Sequence, residues 1–182
     1  MKKLLTIIIT LVLISSCTTT KEAKSARAEL RKDKKLADQA LVKNAVESRR
    51  FLVKFDRIYY RFGGIIELIP RANYLIVDRD QAILNTAYIG RQFDIKAIAA
   101  IDIRGKALNY AVTDNLSKGS YEIKMKVKND GSSSFDVFVR ISKDGYCTTS
   151  VSNLKIDDVT YDGYLVPLMD QPGTTPQEGN PI

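Results

Sequence analysis

Two cysteines and no histidine occur in a chain of 182 residues. That inventory narrows the available chemistry at once. Without imidazole there is no Ser-His or Cys-His nucleophile pair and no histidine metal site. Cys147 alone cannot hold zinc. Its neighbours Tyr146, Thr148 and Thr149 read as a strand, where a lone thiol packs as a small inert hydrophobe. Gly63-Gly64 lacks the third glycine and the following helix of a phosphate-cradling loop. Asp157, Asp158 and Asp162 could gather around Ca²⁺, but they lack the spacing and closing Glu of a calcium hand, so they read as solvated turn aspartates. Asp78 and Asp80 around Arg79 read the same way. A glycosidase pair needs two carboxylates about 5–10 Å apart in a cleft, a separation that the sequence does not encode. The absence of Trp weakens sugar stacking, although nine tyrosines could partly substitute. The expectation is therefore a non-enzyme with no catalytic residue, metal or cofactor.

The other cysteine points to a different chemistry. Lys2 and Lys3 form a short positive region, and Leu4 to Ile14 is a mainly apolar run, too short to span a bilayer. Ile14-Ser15-Ser16-Cys17 looks like a bacterial lipobox, in which the thiol of Cys17 takes a diacylglycerol and the chain is cut before it. Each buried methylene contributes about 0.8 kcal/mol, and two or more chains anchor stably. Thr18 is not aspartate, which favours the outer membrane, facing the periplasm. Surface display stays open, with Lys21-Glu22 only a weak export signal.

Cations supply the remaining candidates. The formal charge is +7, and +5 once Lys2 and Lys3 are removed. In an exported chain this suggests anionic lipid, phosphorylated glycan or a solvated surface, and no nucleic acid. Lys124, Lys126 and Lys128 share one face of a strand, either as a solvated ridge that blocks aggregation or as an anionic contact. Arg49, Arg50, Tyr88 and Arg91 form a second set. They read as a structural cluster tying helix to sheet, or as the polar rim of a pocket.

The elements that must position these residues follow from period. The chain divides into a signal peptide (1–16), a lipid-anchored helical spacer (17–50), an antiparallel β domain (51–167) and a disordered tail (168–182). Residues 18–50 contain no Gly or Pro and are rich in helix formers. An apolar stripe from Leu36 (Leu36, Ala37, Ala40, Leu41, Ala45, Val46) predicts docking of the helix from that point, with Arg49 and Arg50 in its last turn. From Phe51 the pattern alternates. Strands are expected near 51–62, 65–69, 73–77 and 82–89, and residues 90–105 have no clear period. Tyr121, Ile123, Met125 and Val127 oppose the lysine face. Turns at Asn129-Asp130-Gly131 and Lys143-Asp144-Gly145 make a three-stranded meander, and a last strand runs near 159–166. The fold class is mainly β: eight or nine antiparallel strands as a rolled barrel or a two-layer sandwich, preceded by one helix.

Short motifs carry a family resemblance. Ala45-Val46-Glu47-Ser48-Arg49-Arg50-Phe51, Asn73-Tyr74-Leu75, Ala87-Tyr88-Ile89-Gly90-Arg91 and Tyr161-Asp162-Gly163-Tyr164 occur in that order. Together they resemble the domain-of-unknown-function 4251 family of Bacteroidota envelope lipoproteins. Where that family often has Leu-Pro before its Tyr-x-Gly, this chain has Thr86-Ala87. The resemblance implies an exported, lipid-anchored β domain after a helix, with no catalytic residue to carry over. The expected function is non-catalytic binding of an apolar or amphipathic envelope molecule in a hollow sheet. The alternative is a protein-interaction or assembly module, and a hydrolase is a distant third.

Overall fold

The computed structural model describes residues 19–60, 64–90, 100–115, 119–129, 131 and 133–168. The segment expected to be a signal peptide, Cys17, Arg91 and the residues beyond 168 lie outside them. Residues 1–38 and 39–182 form two compact units. In the first, the described residues belong to helix α1 (Thr19–Glu47) and Leu30 and Leu36 are exposed.

The second unit begins with the end of α1. Docking starts later than the stripe at Leu36 suggests. Leu36 is 63% and Leu41 46% exposed, whereas Val42, Ala45 and Val46, at i, i+3 and i+4, are buried. One helix face carries all three, so the stripe holds at Ala45 and Val46, fails at Leu36 and Leu41, and omits Val42. The helix ends at Glu47 with no basic residue in its last turn. Arg49 takes a left-handed φ of 56° that breaks the helix, and Arg50 already opens the first strand.

Nine strands follow: β1 (Arg50–Tyr60), β2 (Gly64–Glu67), β3 (Tyr74–Asp78), β4 (Gln81–Ala87), β5 (Ala100–Asn115), β6 (Ser120–Lys128), β7 (Ser134–Ser142), β8 (Tyr146–Asn153) and β9 (Ile156–Pro167). Neighbours pair in the order β1-β3-β4-β5-β6-β7-β8-β9, and β9 pairs back to β1 from Phe51↔Pro167 to Tyr59↔Thr160. That last seam decides between sandwich and barrel: eight antiparallel strands close, and β2 pairs only with the far half of β1. Register shifts at Phe55/Arg57, Leu108/Ala111 and Val151/Asn153 mark the bulges that let the sheet curl.

The barrel is filled, not hollow. Phe51, Phe55, Ile58, Leu75, Leu84, Ile123, Ile141 and Tyr161 all point inward and present no surface to water, from outside or from an internal void. Phe55 stacks on Tyr161 with centroids 4.8 Å apart. Eight strands leave an interior just wide enough for side chains, so the expectation of an internal ligand chamber is not met.

Each end is tied by polar contacts. At the helix end, Tyr110 Oη donates to the Val46 carbonyl (3.2 Å) and the Arg49 guanidinium lies 4.7 Å above the Tyr110 ring. At the far end, the Asn73 side chain accepts from the Ala87 N–H (2.7 Å) and donates to the Ile69 carbonyl (2.9 Å). Tyr161 Oη donates to the Ala87 carbonyl (2.8 Å).

Candidate functional site: a cleft on the outer wall

Alternation puts a second set of side chains outside the barrel, and strand register brings them together. Tyr146, Tyr164, Lys54, Tyr74 and Asn85 are successive cross-strand partners over β8, β9, β1, β3 and β4. The adjacent row reads Val166, Leu52, Ile76, Ile83. Adjacent strands lie about 4.8 Å apart, so Lys54 sits between Tyr164 and Tyr74 with an apolar row beside it. The β2–β3 connection adds Pro70 and Arg71. Together Leu52, Lys54, Pro70, Arg71, Tyr74 and Ile76 line a cleft of about 490 Å³. Ile69, next to Pro70, is 70% exposed, and Ile65 and Ile66 of β2 are exposed as well. The floor is therefore apolar and the cations are Lys54 and Arg71. That arrangement can hold an apolar chain or ring bearing a negative group.

Beyond Tyr164 the wall carries a hydroxyl network. Asp162 is 6% exposed although it faces outward. Its carboxylate accepts from Tyr59 Oη (2.7 Å) and Thr148 Oγ1 (3.0 Å), and Tyr146 Oη bonds to it too. Tyr164 packs edge-on against Tyr146 with centroids 5.4 Å apart. The bond to Asp162, then burial, pushes the Tyr59 phenol up. Burial, then the bond to Asp162, pushes up that of Tyr146. Both phenols stay protonated at neutral pH and act as donors. Asp162 and Asp157 are thus buried strand residues, not solvated turn aspartates. The reading failed because a charged residue in a β-rich stretch is ordinarily solvated, and only cross-strand hydroxyls make its burial tolerable. Among the described residues no group of three acidic or Cys side chains is placed to hold a metal ion.

The arginine and tyrosine set is not one cluster. Arg50 Nε meets Asp78 Oδ1 at 3.1 Å at the helix end, near Arg49. Tyr88 follows the opposite end of β4, where its Oη accepts from the Asp157 N–H (3.0 Å). The length of β4 separates them, about 20 Å at the usual rise per residue. Of the lysine ridge, Lys126 Nζ pairs with Asp136 Oδ1 at 3.1 Å, Lys124 flanks a shallower cleft beside Phe138, and Lys128 stands across from Lys106. Sequence reasoning missed Leu52, Lys54, Tyr74 and Ile76 as cleft residues, whose local signal is strand alternation, and Arg71 of the β2–β3 connection, which carries none.

Cys147 lies wholly in the core, its thiol donating to the Gly145 carbonyl at 3.3 Å, and burial pushes the thiol up. Iodoacetamide at pH 8 should therefore leave Cys147 of the native protein unmodified and label it fully in denaturant. Peptide mass spectrometry reads both states, and rapid native labelling would contradict this burial.

Fold and site together define a class: a small, closed all-β barrel preceded by one helix, with its accessible chemistry on the outer wall. Residues 33–165 match the family model for the Domain of unknown function (DUF4251), and the chain belongs to that family. A similar solved structure is the crystal structure of a DUF4251 family protein from Bacteroides eggerthii. It shares 15% sequence identity and covers 72% of this chain and 88% of its own, with a TM-score of 0.61, a likeness of fold. No curated protein matches the chain. No activity is established for the family.

Proposed function

We propose that this chain is a lipid-anchored envelope protein that binds an anionic amphiphile, without catalysis, in the outer cleft between β1 and β3. One observation carries the reading. A cleft of about 490 Å³ joins the apolar Leu52, Pro70, Tyr74 and Ile76 to two cations, Lys54 and Arg71. Its volume falls in the range of small-molecule sites, about 300–1,000 Å³. An acyl chain on the apolar floor gains about 0.8 kcal/mol per buried methylene, and the cations reward an acidic head group. The lipobox supports an envelope setting, with Cys17 acylated and the outer membrane, facing the periplasm, as destination. Mass spectrometry of the mature N-terminus tests that part, with an acylated Cys17 expected and an unmodified, uncleaved start contradicting it.

Titration with dodecyl phosphate and a neutral dodecyl glycoside below their micellar concentrations tests the cleft. The Leu52 and Ile76 methyl resonances should shift with both. Lys54→Glu with Arg71→Glu should weaken only the phosphate, by about tenfold or more. Ile76→Asp should weaken both. If neither methyl moves, the cleft is not the site. A second reading, assembly with a protein partner, draws on the exposed Ile65, Ile66 and Ile69. Photo-crosslinking from position 69 in cells separates the two: a single recurrent protein adduct supports assembly, and lipid adducts support the amphiphile.

A further inference from the structure

On a different stretch of the wall, across β4 from the cleft, the register sets two lysines against each other. Lys106 of β5 is the direct cross-strand partner of Lys128 of β6. The row extends to Gln81 on the β4 side and Ser134 on the β7 side. It therefore reads amide, ammonium, ammonium, hydroxyl; the next partner beyond Gln81, Asp78 of β3, is paired with Arg50. Neither lysine makes an ion pair among the described residues. The nearby acid on β7, Asp136, is engaged by Lys126, and Arg104 adds another cation two residues before Lys106 on β5. Like charges placed directly opposite on a sheet repel, so pairing these two lysines carries a cost.

The surface there is also concave. Lys106, Leu108, Lys128 and Asn129 line a cleft of about 300 Å³. β5 lies close on β6 at this point: a Cβ on Gly105 would collide with the Lys128 carbonyl. The Lys128 backbone is thus clamped. Asn129 leaves its buried side-chain oxygen without a hydrogen-bond partner, so its amide can turn toward a ligand without losing a bond. Two lysines lining one cleft, an uncommitted amide and a flanking hydroxyl suit one chemical group: a phosphate carrying two negative charges.

We infer that Lys106 and Lys128 form an anion site for a phosphate-bearing ligand, separate from the β1–β3 cleft. Sequence analysis pointed to Lys128 only as part of a ridge; its partner Lys106 comes from the register. The phosphate could belong to a lipid head group or to a soluble molecule, and the test distinguishes them.

The full chain is followed by scanning calorimetry at fixed ionic strength, against inorganic pyrophosphate, monomeric dihexanoyl phosphatidic acid and a chloride control. Either phosphate should raise Tm, whereas chloride should not. A response to pyrophosphate assigns a soluble phosphate, and a response to the lipid alone assigns a head group. Lys106→Gln and Lys128→Gln are exposed, neutral replacements that should fold. Each should weaken phosphate binding about tenfold and should slightly raise Tm without any phosphate, because the repulsion is gone. Lys124→Gln, on the same strand but outside the row, should leave the response unchanged. Ile76→Asp should weaken amphiphile binding in the other cleft and keep the pyrophosphate response, so the two sites fail separately. The inference is overturned if neither phosphate shifts Tm, if the shift survives in both lysine variants, or if those variants lower the Tm of the phosphate-free protein.

Discussion

Gly163→Ala is expected to open the barrel. Gly163 lies buried in β9 opposite Phe55, at the seam that closes the sheet. A methyl group there would collide with the Lys54 carbonyl oxygen and would stand 2.9 Å from Phe55 Cα. Both obstacles are backbone, so no rotamer change relieves them. β9 would have to move off β1 at the bulge where the register shifts between Phe55 and Arg57. Strain of this kind costs about 3–5 kcal/mol, against a total stability of about 5–15 kcal/mol for an ordinary domain. Tm should fall by on the order of 10–15 °C. The control is Gly131→Ala, whose methyl would come no closer than 3.3 Å to a side-chain oxygen of Asn129, at an exposed turn. It should cost about 0.5 kcal/mol or less. Equal, small losses in the two variants on urea denaturation would show that the seam tolerates a side chain.

Asn73→Ala carries the second large effect. Asn73 is buried and satisfies three partners at the end of the barrel away from the helix. Its Oδ1 accepts from the Ala87 N–H (2.7 Å) and Thr86 Oγ1 (3.3 Å), and its Nδ2 donates to the Ile69 carbonyl (2.9 Å). Truncation strands the Ala87 N–H, which costs about 1–3 kcal/mol when left buried and unpaired, while the Ile69 carbonyl keeps its bond from the Ala72 N–H. A total loss of about 2–3 kcal/mol follows, with faster hydrogen exchange at Ala87. Asn73→Asp separates the two halves of the bracket. A carboxylate keeps both acceptor bonds but faces the Ile69 carbonyl with no proton to donate. Folding then favours the protonated acid, so the folded pKa rises above the unfolded value of about 3.9. The stability tied to that proton is complete below the unfolded pKa and lost as pH rises through the folded one. Relative to the parent, Asn73→Asp should be much weaker at pH 7 and recover toward pH 4. A pH-independent difference between the two proteins would mean that the Ile69 bond contributes nothing.

These positions explain what the family-like motifs do. Asn73 brackets the β2–β3 connection to the end of β4. Gly163 permits the closing seam, and Tyr161 reaches across to the Ala87 carbonyl. In the same motifs Tyr74 and Tyr164 lie outside, on either side of Lys54. The Asn73 and Tyr161 motifs thus each have an inward half that closes the barrel and an outward half that shapes the wall beside the cleft.

Local period alone settled much of this protein. Alternation from Phe51 onward specified strands with one buried face, because successive side chains in an extended chain point to opposite sides. The absence of Gly and Pro before residue 50 specified a helix, and the absence of histidine removed whole classes of chemistry. Register lay beyond it. Whether β9 returns to β1 depends on pairs more than a hundred residues apart, and alternation is the same in a sandwich and in a barrel. The same blindness hid the sites. Lys54 meets Tyr74 and Tyr164, Lys106 meets Lys128, and Asp162 is roofed by Tyr59 and Tyr146 only because strands distant in sequence lie about 4.8 Å apart in the sheet. Alternation set which side each residue faces; closure of the sheet set its neighbours, and binding chemistry depends on neighbours.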